Sequence, residues 1–174
     1  MPLALNDPRW GDLQSSYGDT ADVVAWLAEA QQEGGMSDER LGDLINEVQH
    51  QGDSSTAMYA VAVHLISLAR HASPEAALRL LTHAGLIYAD SGHPRAVPCP
   101  EFLRGEFAAS APEAARMLSP LIPLTTEFYS LKYAVAALAG LLGHHSFGRF
   151  LDGLDLYVGK FHHSLLEKPF PPEI

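Results

Sequence analysis

The chain has 174 residues, 47% hydrophobic and 18% charged, which excludes a disordered protein because disordered chains combine low hydrophobicity with dense charge. The length predicts one domain over residues 1–174, since a chain of this size can bury about two-thirds of its unfolded surface around a single core. The formal net charge of −10 argues against binding to nucleic acid or to an anionic membrane surface, because both require clustered lysine and arginine.

The first predicted elements are an irregular lead-in over residues 1–19 and a pair of helices. From Thr20, apolar residues recur at the i, i+3, i+4, i+7 spacing of one helical stripe. They are Val23, Trp26, Leu27 and Ala30. A glycine pair beginning at Gly34 ends this helix, and Ser37 stands at the N-cap position of a second helix that runs to about His50. The short link between the two helices predicts an antiparallel hairpin.

Two further helices are predicted in the middle of the chain. Residues 51–54 combine a glycine stop with side chains that can cap a helix from Ser55 to about His71. That helix is apolar nearly all round, which is typical of a helix at the centre of a fold. The next helix begins at Pro74, directly after a serine, and runs to about Tyr88.

Prolines divide the following segment. Residues 90–100 contain three prolines, which predicts a rigid surface loop. A short helix is predicted from Glu101 to Ala109, and the capping-box spacing at Ser110 predicts a second one to about Leu118.

The last predicted helices are long and largely apolar. One runs from Thr126 until Gly143 ends it, another runs from Ser146 to about Leu166, and residues 168–174 form an extended tail. Strand patterns with a period of two are weak throughout. We therefore predict an all-α fold of stacked antiparallel helical hairpins, similar to a short α-solenoid of about seven helices.

Two stretches carry a resemblance to a known class of proteins. Residues 41–72, LGDLINEVQHQGDSSTAMYAVAVHLISLARHA, resemble a HEAT-type helix pair. Together with the opening LNDPRWGDLQSSYGD, they are similar to small bacterial HEAT-like proteins, some of which are suspected immunity or adaptor proteins. The resemblance covers the N-terminal half and implies a HEAT-like fold. It also implies that Trp10 and Tyr17 are packing anchors and that Gly52 and Asp53 act as stop and cap.

Negative charge is concentrated near the start of the chain. Residues 1–53 hold eleven acidic residues and two basic ones, whereas the remainder is nearly balanced. This asymmetry favours a cationic protein partner, and the immunity class suggests a basic toxin. The residues we predict to bind the partner are Asp22, Glu29, Glu33, Asp43 and Glu47. The alternative is a solvated acidic surface that only keeps the protein soluble.

Histidines provide the second functional hypothesis. The chain has nine of them, but no H-x-x-x-H or H-E-x-x-H spacing occurs, so we predict no metal site and no cofactor. Nucleophile, phosphate-binding and dinucleotide-binding motifs are also missing from the sequence, which favours a non-catalytic protein. The alternative is a small-molecule or metal-dependent enzyme whose pocket between helical hairpins contains His64, His71 or His144.

Location and assembly follow from simpler features. A lone cysteine, Cys99, and an N-terminal segment unlike a secretory leader predict a cytoplasmic protein. The longest uncharged apolar stretch, residues 133–142, is about half of the ~20 residues that cross a bilayer, so no membrane span is expected. The apolar final helix leaves homo-oligomerisation as a third hypothesis.

Overall fold

The computed structural model describes residues 1–50 and 53–153, and within them the chain is all-α, as predicted. The described helices are α1 (Ala21–Glu33), α2 (Asp38–Val48), α3 (Ala57–Ala69), α4 (Pro74–Ser91), α5 (Glu101–Leu118), α6 (Phe128–Leu141) and α7 (His145–Asp152). A 3₁₀ turn, Pro8–Asp12, precedes α1, and another, Ser119–Leu124, follows α5. The predicted end of the last helix at about Leu166 and the extended tail 168–174 lie outside the described residues.

Three predicted helix boundaries are confirmed by their hydrogen bonds and backbone angles. The Ser37 hydroxyl accepts from the Arg40 N–H at 3.2 Å, and the Ser73 hydroxyl accepts from the Ala76 N–H at 3.3 Å, as N-caps do. Gly34 follows α1 with a φ of 70°, a left-handed angle that glycine adopts without a steric penalty.

The start of α3 differs from the prediction. The chain leaves α2 through two-residue strands, β1 (Gln49–His50) and β2 (Asp53–Ser54), which pair antiparallel with Gln49 opposite Ser54. The Ser54 hydroxyl accepts from the Val97 N–H at 3.1 Å, and the Thr56 hydroxyl accepts from the Gln14 N–H at 2.8 Å. Because these side chains hold neighbouring segments, they do not cap α3, which begins at Ala57.

The two helices predicted over 101–118 are one continuous helix, α5. Ser110 does not cap a new helix, because its hydroxyl donates to the Phe107 carbonyl at 3.0 Å and lies 2.7 Å from the Tyr88 hydroxyl. Pro112 removes one backbone donor from α5 without ending it. The prediction of a break here was wrong because the serine is 6% exposed and buried against α4, which the local spacing does not reveal.

The prediction that the third helix lies at the centre of the fold is confirmed. Eleven of the thirteen residues of α3 are buried, including Met58, Leu65 and Ile66. The helix contacts α1, α2, α4 and α5, so the neighbours cover almost its whole surface. Burial of this many apolar side chains is the main source of stability at the N-terminal end of the domain.

Small residues bring α4, α6 and α7 close together. A Cβ on Gly140 of α6 would lie 2.5 Å from the Gly85 carbonyl oxygen of α4. A Cβ on Gly148 of α7 would lie 2.8 Å from the Ala136 carbonyl oxygen and 3.0 Å from the Ala89 Cβ. Only residues without large side chains permit backbones to approach this closely.

The fourth helix is three residues longer than predicted, so the loop predicted over 90–100 begins later. α7 contacts the C-terminal end of α4: His145 Nδ1 lies 2.8 Å from the Tyr88 carbonyl oxygen, and Arg149 donates to the Ala89 carbonyl at 3.1 Å. These contacts engage carbonyl groups near the end of α4, where the helix itself supplies no further N–H donors. Asp90 is therefore a helical residue.

The lead-in is anchored by one of the two predicted aromatic residues. Trp10 is buried, and its indole N–H donates to the Ala4 carbonyl at 3.0 Å. Tyr17 is 59% exposed, so its prediction as a packing anchor was wrong. Its hydroxyl instead lies 2.7 Å from Nδ1 of His50 and accepts from Asn46.

Candidate functional site

Four of the five acidic residues predicted to bind a partner lie exposed on one side of the α1–α2 hairpin. Asp22, Glu29 and Glu33 follow one another at i, i+7 and i+11 on α1, which places them on one side of the helix. Glu29 and Glu33 line a cavity of about 90 Å³ together with Arg40 of α2, and Arg40 also reaches Asp43. The acidic face is defined here as Asp22, Glu29, Glu33 and Asp43.

Arg40 is the one basic residue among the seven acidic residues of residues 21–48. Its guanidinium nitrogens lie 3.6 Å from Glu29 Oε2 and 3.7 Å from Asp43 Oδ2, and the group stands 5.2 Å from the centre of the Trp26 ring. All three charged side chains are substantially exposed, and ion pairs of this kind contribute between zero and about 1 kcal/mol. The hairpin therefore remains strongly negative.

Glu47, the fifth predicted residue, lies one helical turn beyond Asp43 on α2, but its carboxylate is engaged with the lead-in. It is half-buried and accepts a hydrogen bond from the Ser15 hydroxyl at 2.5 Å. Its backbone carbonyl also accepts from the Ser16 N–H at 2.7 Å. The two contacts hold the lead-in against α2, so Glu47 has a structural role here.

The three histidines of the enzyme hypothesis occupy unrelated places. His64 is 1% exposed within α3, with Nε2 2.8 Å from the Leu3 carbonyl oxygen. Burial lowers the pKa of His64 to about 4, and the hydrogen bond to Leu3 opposes this only in part. His71 and His144 are exposed, one just after α3 and the other just before α7. Their placement does not assemble a catalytic group.

Two other histidines line a cavity of about 390 Å³, here called the α4 cleft. The fourth helix contributes His83, Leu86 and Asp90 at i, i+3 and i+7, and the loop after it contributes His93 and Arg95. Gln49 of β1 and Ser54 of β2 also line the cleft, as does Asp152 at the end of α7. Concave sites lined by apolar and convergent polar groups are typical of small-molecule binding.

Asp90 is a carboxyl group of the α4 cleft with a perturbed pKa. Gln49 Nε2 donates to its Oδ2 at 2.7 Å. Burial raises the pKa of Asp90 to about 6, and the negative charge of Asp152 adds to this effect. The Gln49 hydrogen bond and the positive charges of Arg149 and His93 act in the opposite direction but do not offset it. Strongly perturbed carboxyl groups in clefts are common at functional sites.

His83 stands between the α4 cleft and a second cavity of about 260 Å³. The two cavities share His83 and Leu86, and the second one is otherwise lined mainly by α4 and α6, with Leu78 and Tyr133 among its residues. Burial lowers the pKa of His83, and the charge of Asp38 opposes this shift. The imidazole is therefore neutral at pH 7 and able to accept a hydrogen bond.

Sequence reasoning missed the α4 cleft for two reasons. The sequence contains the spacing of His83, Leu86 and Asp90, but its pattern places Asp90 in the loop beyond the predicted helix end. The remaining walls come from Gln49 and Asp152, which are far apart along the chain. No local pattern connects such residues.

Comparisons with protein-family models, with curated proteins and with solved structures give no match for this chain. Over residues 1–50 and 53–153, no helix combines the length and apolar character that a membrane crossing requires. Within the same residues, no three histidine, cysteine, aspartate or glutamate side chains are grouped so as to hold a metal ion.

Proposed function

We propose that the chain is a non-catalytic protein-binding module whose acidic face captures a basic protein. The observation that carries the proposal is the gathering of four exposed carboxylates on one side of the α1–α2 hairpin. Complementary charge of this kind speeds the encounter of two proteins and discriminates among partners. The concrete form of the proposal is a cytoplasmic immunity protein that neutralises a basic toxin.

A HEAT-like architecture is part of the same proposal. α1 and α2 are joined by only four residues, 34–37, and α3 and α4 by four residues, 70–73. Short links of this kind join antiparallel helices, and stacking of such hairpins is the principle of an α-solenoid. The acidic face belongs to the first hairpin of this stack.

Arg40 acts as an internal competitor for the incoming partner. It lies 3.6 Å from Glu29 and 3.7 Å from Asp43, distances that are long for charge-assisted hydrogen bonds. A lysine or arginine of the partner replaces these loose contacts with closer ones. The cavity of about 90 Å³ beside Trp26, Glu29 and Glu33 offers room for such a side chain.

The test begins with affinity capture from the native host, using the full chain as bait and the variant D22K/E29K/E33K as a parallel bait. Association of the captured basic protein with each form is then followed by stopped-flow fluorescence at low and high salt. We expect the triple variant to associate at least about tenfold more slowly at low salt and to lose most of the salt dependence. Arg40→Gln is expected to associate faster than the wild type.

The matched control is the variant E75K/E101K/E127K, which changes the net charge by the same amount at exposed positions outside the acidic face. It is expected to slow association much less than D22K/E29K/E33K. Equal rates for the wild type and D22K/E29K/E33K, or equal slowing by the two triple variants, would overturn the proposal. Circular dichroism of all variants checks that each one is folded.

A further inference from the structure

We propose that the α4 cleft binds a small primary amine carrying an apolar substituent. The ammonium group lies between Asp90 and His83, and the apolar substituent enters the second cavity beyond His83. This site is separate from the acidic face and has a different ligand, a small molecule instead of a protein. Unpaired hydrogen-bond acceptors, the two carboxylates and the neighbouring apolar walls favour such a ligand.

The α4 cleft presents acceptors that lack donors. Gln49 occupies Oδ2 of Asp90, whereas Oδ1 has no hydrogen-bond donor within residues 1–50 and 53–153. The His83 ring nitrogens also have no hydrogen-bond partner in that part of the chain. Both residues line the cavity, and these atoms are not closed off from it by neighbouring side chains, so a ligand that donates hydrogen bonds can reach them. A primary ammonium group supplies three N–H donors from one nitrogen atom.

The depth of the charged groups favours a cation over an anion. Asp90 is half-buried on α4, and the charge of Asp152 acts on it in the same sense. Arg95 is exposed and lies at the rim of the cleft. Arg149 is already engaged with the Ala89 carbonyl and the Ser146 hydroxyl. At Asp90 the negative charge of Asp152 outweighs the positive charge of Arg149, so the charges beside this carboxyl group favour a cation over an anion.

The second cavity determines which kind of substituent the amine carries. Its walls include Leu78 and Leu86 of α4 and the ring of Tyr133 of α6, and it adjoins the α4 cleft at His83. Its volume of about 260 Å³ accommodates a phenyl ring or a branched alkyl chain. A ligand that spans both cavities buries apolar area on one side and neutralises Asp90 on the other.

The experiment is an NMR titration of the full-length, ¹⁵N-labelled protein at pH 8 with 2-phenylethylamine. Phenylacetate and 2-phenylethanol serve as the anionic and neutral analogues with the same ring. We expect saturable shifts centred on His83, Leu86 and Asp90, with a Kd on the order of 1 mM for so small a ligand. Phenylacetate is expected to bind at least about tenfold more weakly, because its charge is reversed.

Asp90→Asn preserves the size of the side chain and its acceptor for Gln49, and it is expected to weaken the amine at least about tenfold. Glu101→Gln, an exposed carboxylate on α5 paired with Arg104, is the matched control and should leave the affinity unchanged. Any one of three results would overturn the inference. The first is phenylacetate binding as tightly as the amine, and the second is unchanged affinity in Asp90→Asn. The third is chemical shift changes confined to the acidic face, which would indicate unspecific attraction.

Discussion

Gly85 of α4 and Ala137 of α6 approach so closely that a Cβ on Gly85 would stand 2.6 Å from the Ala137 Cβ. The same position would be 2.6 Å from the Ala137 carbonyl oxygen, so two backbones and not a flexible side chain form the obstacle. This contact sets the separation of α4 and α6. Because α4 carries His83 and Asp90, it also sets the width of the cavity between the two helices.

Gly85→Ala is expected to destabilise the protein by about 1–3 kcal/mol, because the added methyl group forces the two helices apart. The matched control is Gly105→Ala in α5, where a Cβ meets nothing within 4 Å. That substitution should stabilise the protein by about 0.5–1 kcal/mol through the lower chain entropy of the unfolded state. Urea denaturation of both variants measures the difference, and equal changes would contradict the close contact.

His64 is expected to make the protein sensitive to mild acid. Its pKa is about 4 in the fold against 6.5 for an ordinary histidine, so the unfolded chain binds a proton first as the pH falls. Stability is therefore lost from about pH 6.5 downward and the loss is complete near pH 4. Because the unfolded chain binds the proton more tightly, the free energy of unfolding falls by about 2 kcal/mol between pH 7.5 and pH 5. His64→Gln should flatten this part of the profile, whereas His71→Gln, at an exposed position, should not.

Asp90 is expected to change the stability in the opposite direction, so that stability is lost as the pH rises. Its pKa is raised from 3.8 to about 6, so the folded state holds a proton that the unfolded chain has released. Stability is lost as the pH rises from about 4 through 6, because the carboxylate must then ionise beside Asp152 and partly out of water. The groups that act on it are Gln49, His93, Arg149 and Asp152.

Asp90→Asn should therefore stabilise the protein by about 2 kcal/mol at pH 8 and by much less at pH 4. Thermal unfolding at both pH values measures the change. A variant that is less stable than the wild type at pH 8 would show that the carboxylate is favourably held. A gain in stability on removing a charged group is typical of a residue kept for binding or chemistry.

Tyr88 contributes a buried hydroxyl to the contact between α4 and α5. The group donates to the Phe107 carbonyl and lies 2.7 Å from the Ser110 hydroxyl, while its ring stacks on Phe107 at a centroid distance of 3.9 Å. Tyr88→Phe retains the stacking and loses the hydrogen bonds, so we expect a cost of about 1–1.5 kcal/mol. Tyr17→Phe, at an exposed tyrosine, should cost less than about 0.5 kcal/mol in the same denaturation experiment.

Local chemistry predicted much of the fold. Helix spacing, the serine caps at Ser37 and Ser73, and the stop at Gly34 depend on residues close together in the chain, and the structure confirms them. The errors concern residues whose partners are distant. Ser54 and Ser110 looked like caps, but each bonds to another segment of the fold, which no local pattern discloses.

The two candidate sites differ in the same way. Three residues of the acidic face share a helical spacing on α1, and Arg40 joins Glu29 of α1 to Asp43 of α2. The contact of Glu47 with Ser15 could not be foreseen, because the two residues are 32 positions apart in the chain. The α4 cleft could not be predicted, because Gln49, Asp90 and Asp152 come together only after the helices have packed.

The nearly complete burial of α3 has a consequence for the order of synthesis. Two of the neighbours that cover it, α4 and α5, leave the ribosome after it does. Until the chain has been made as far as Leu118, α3 keeps apolar surface in water, and the first two helices cannot shield it alone. A chain interrupted before that point is expected to associate with chaperones or to precipitate.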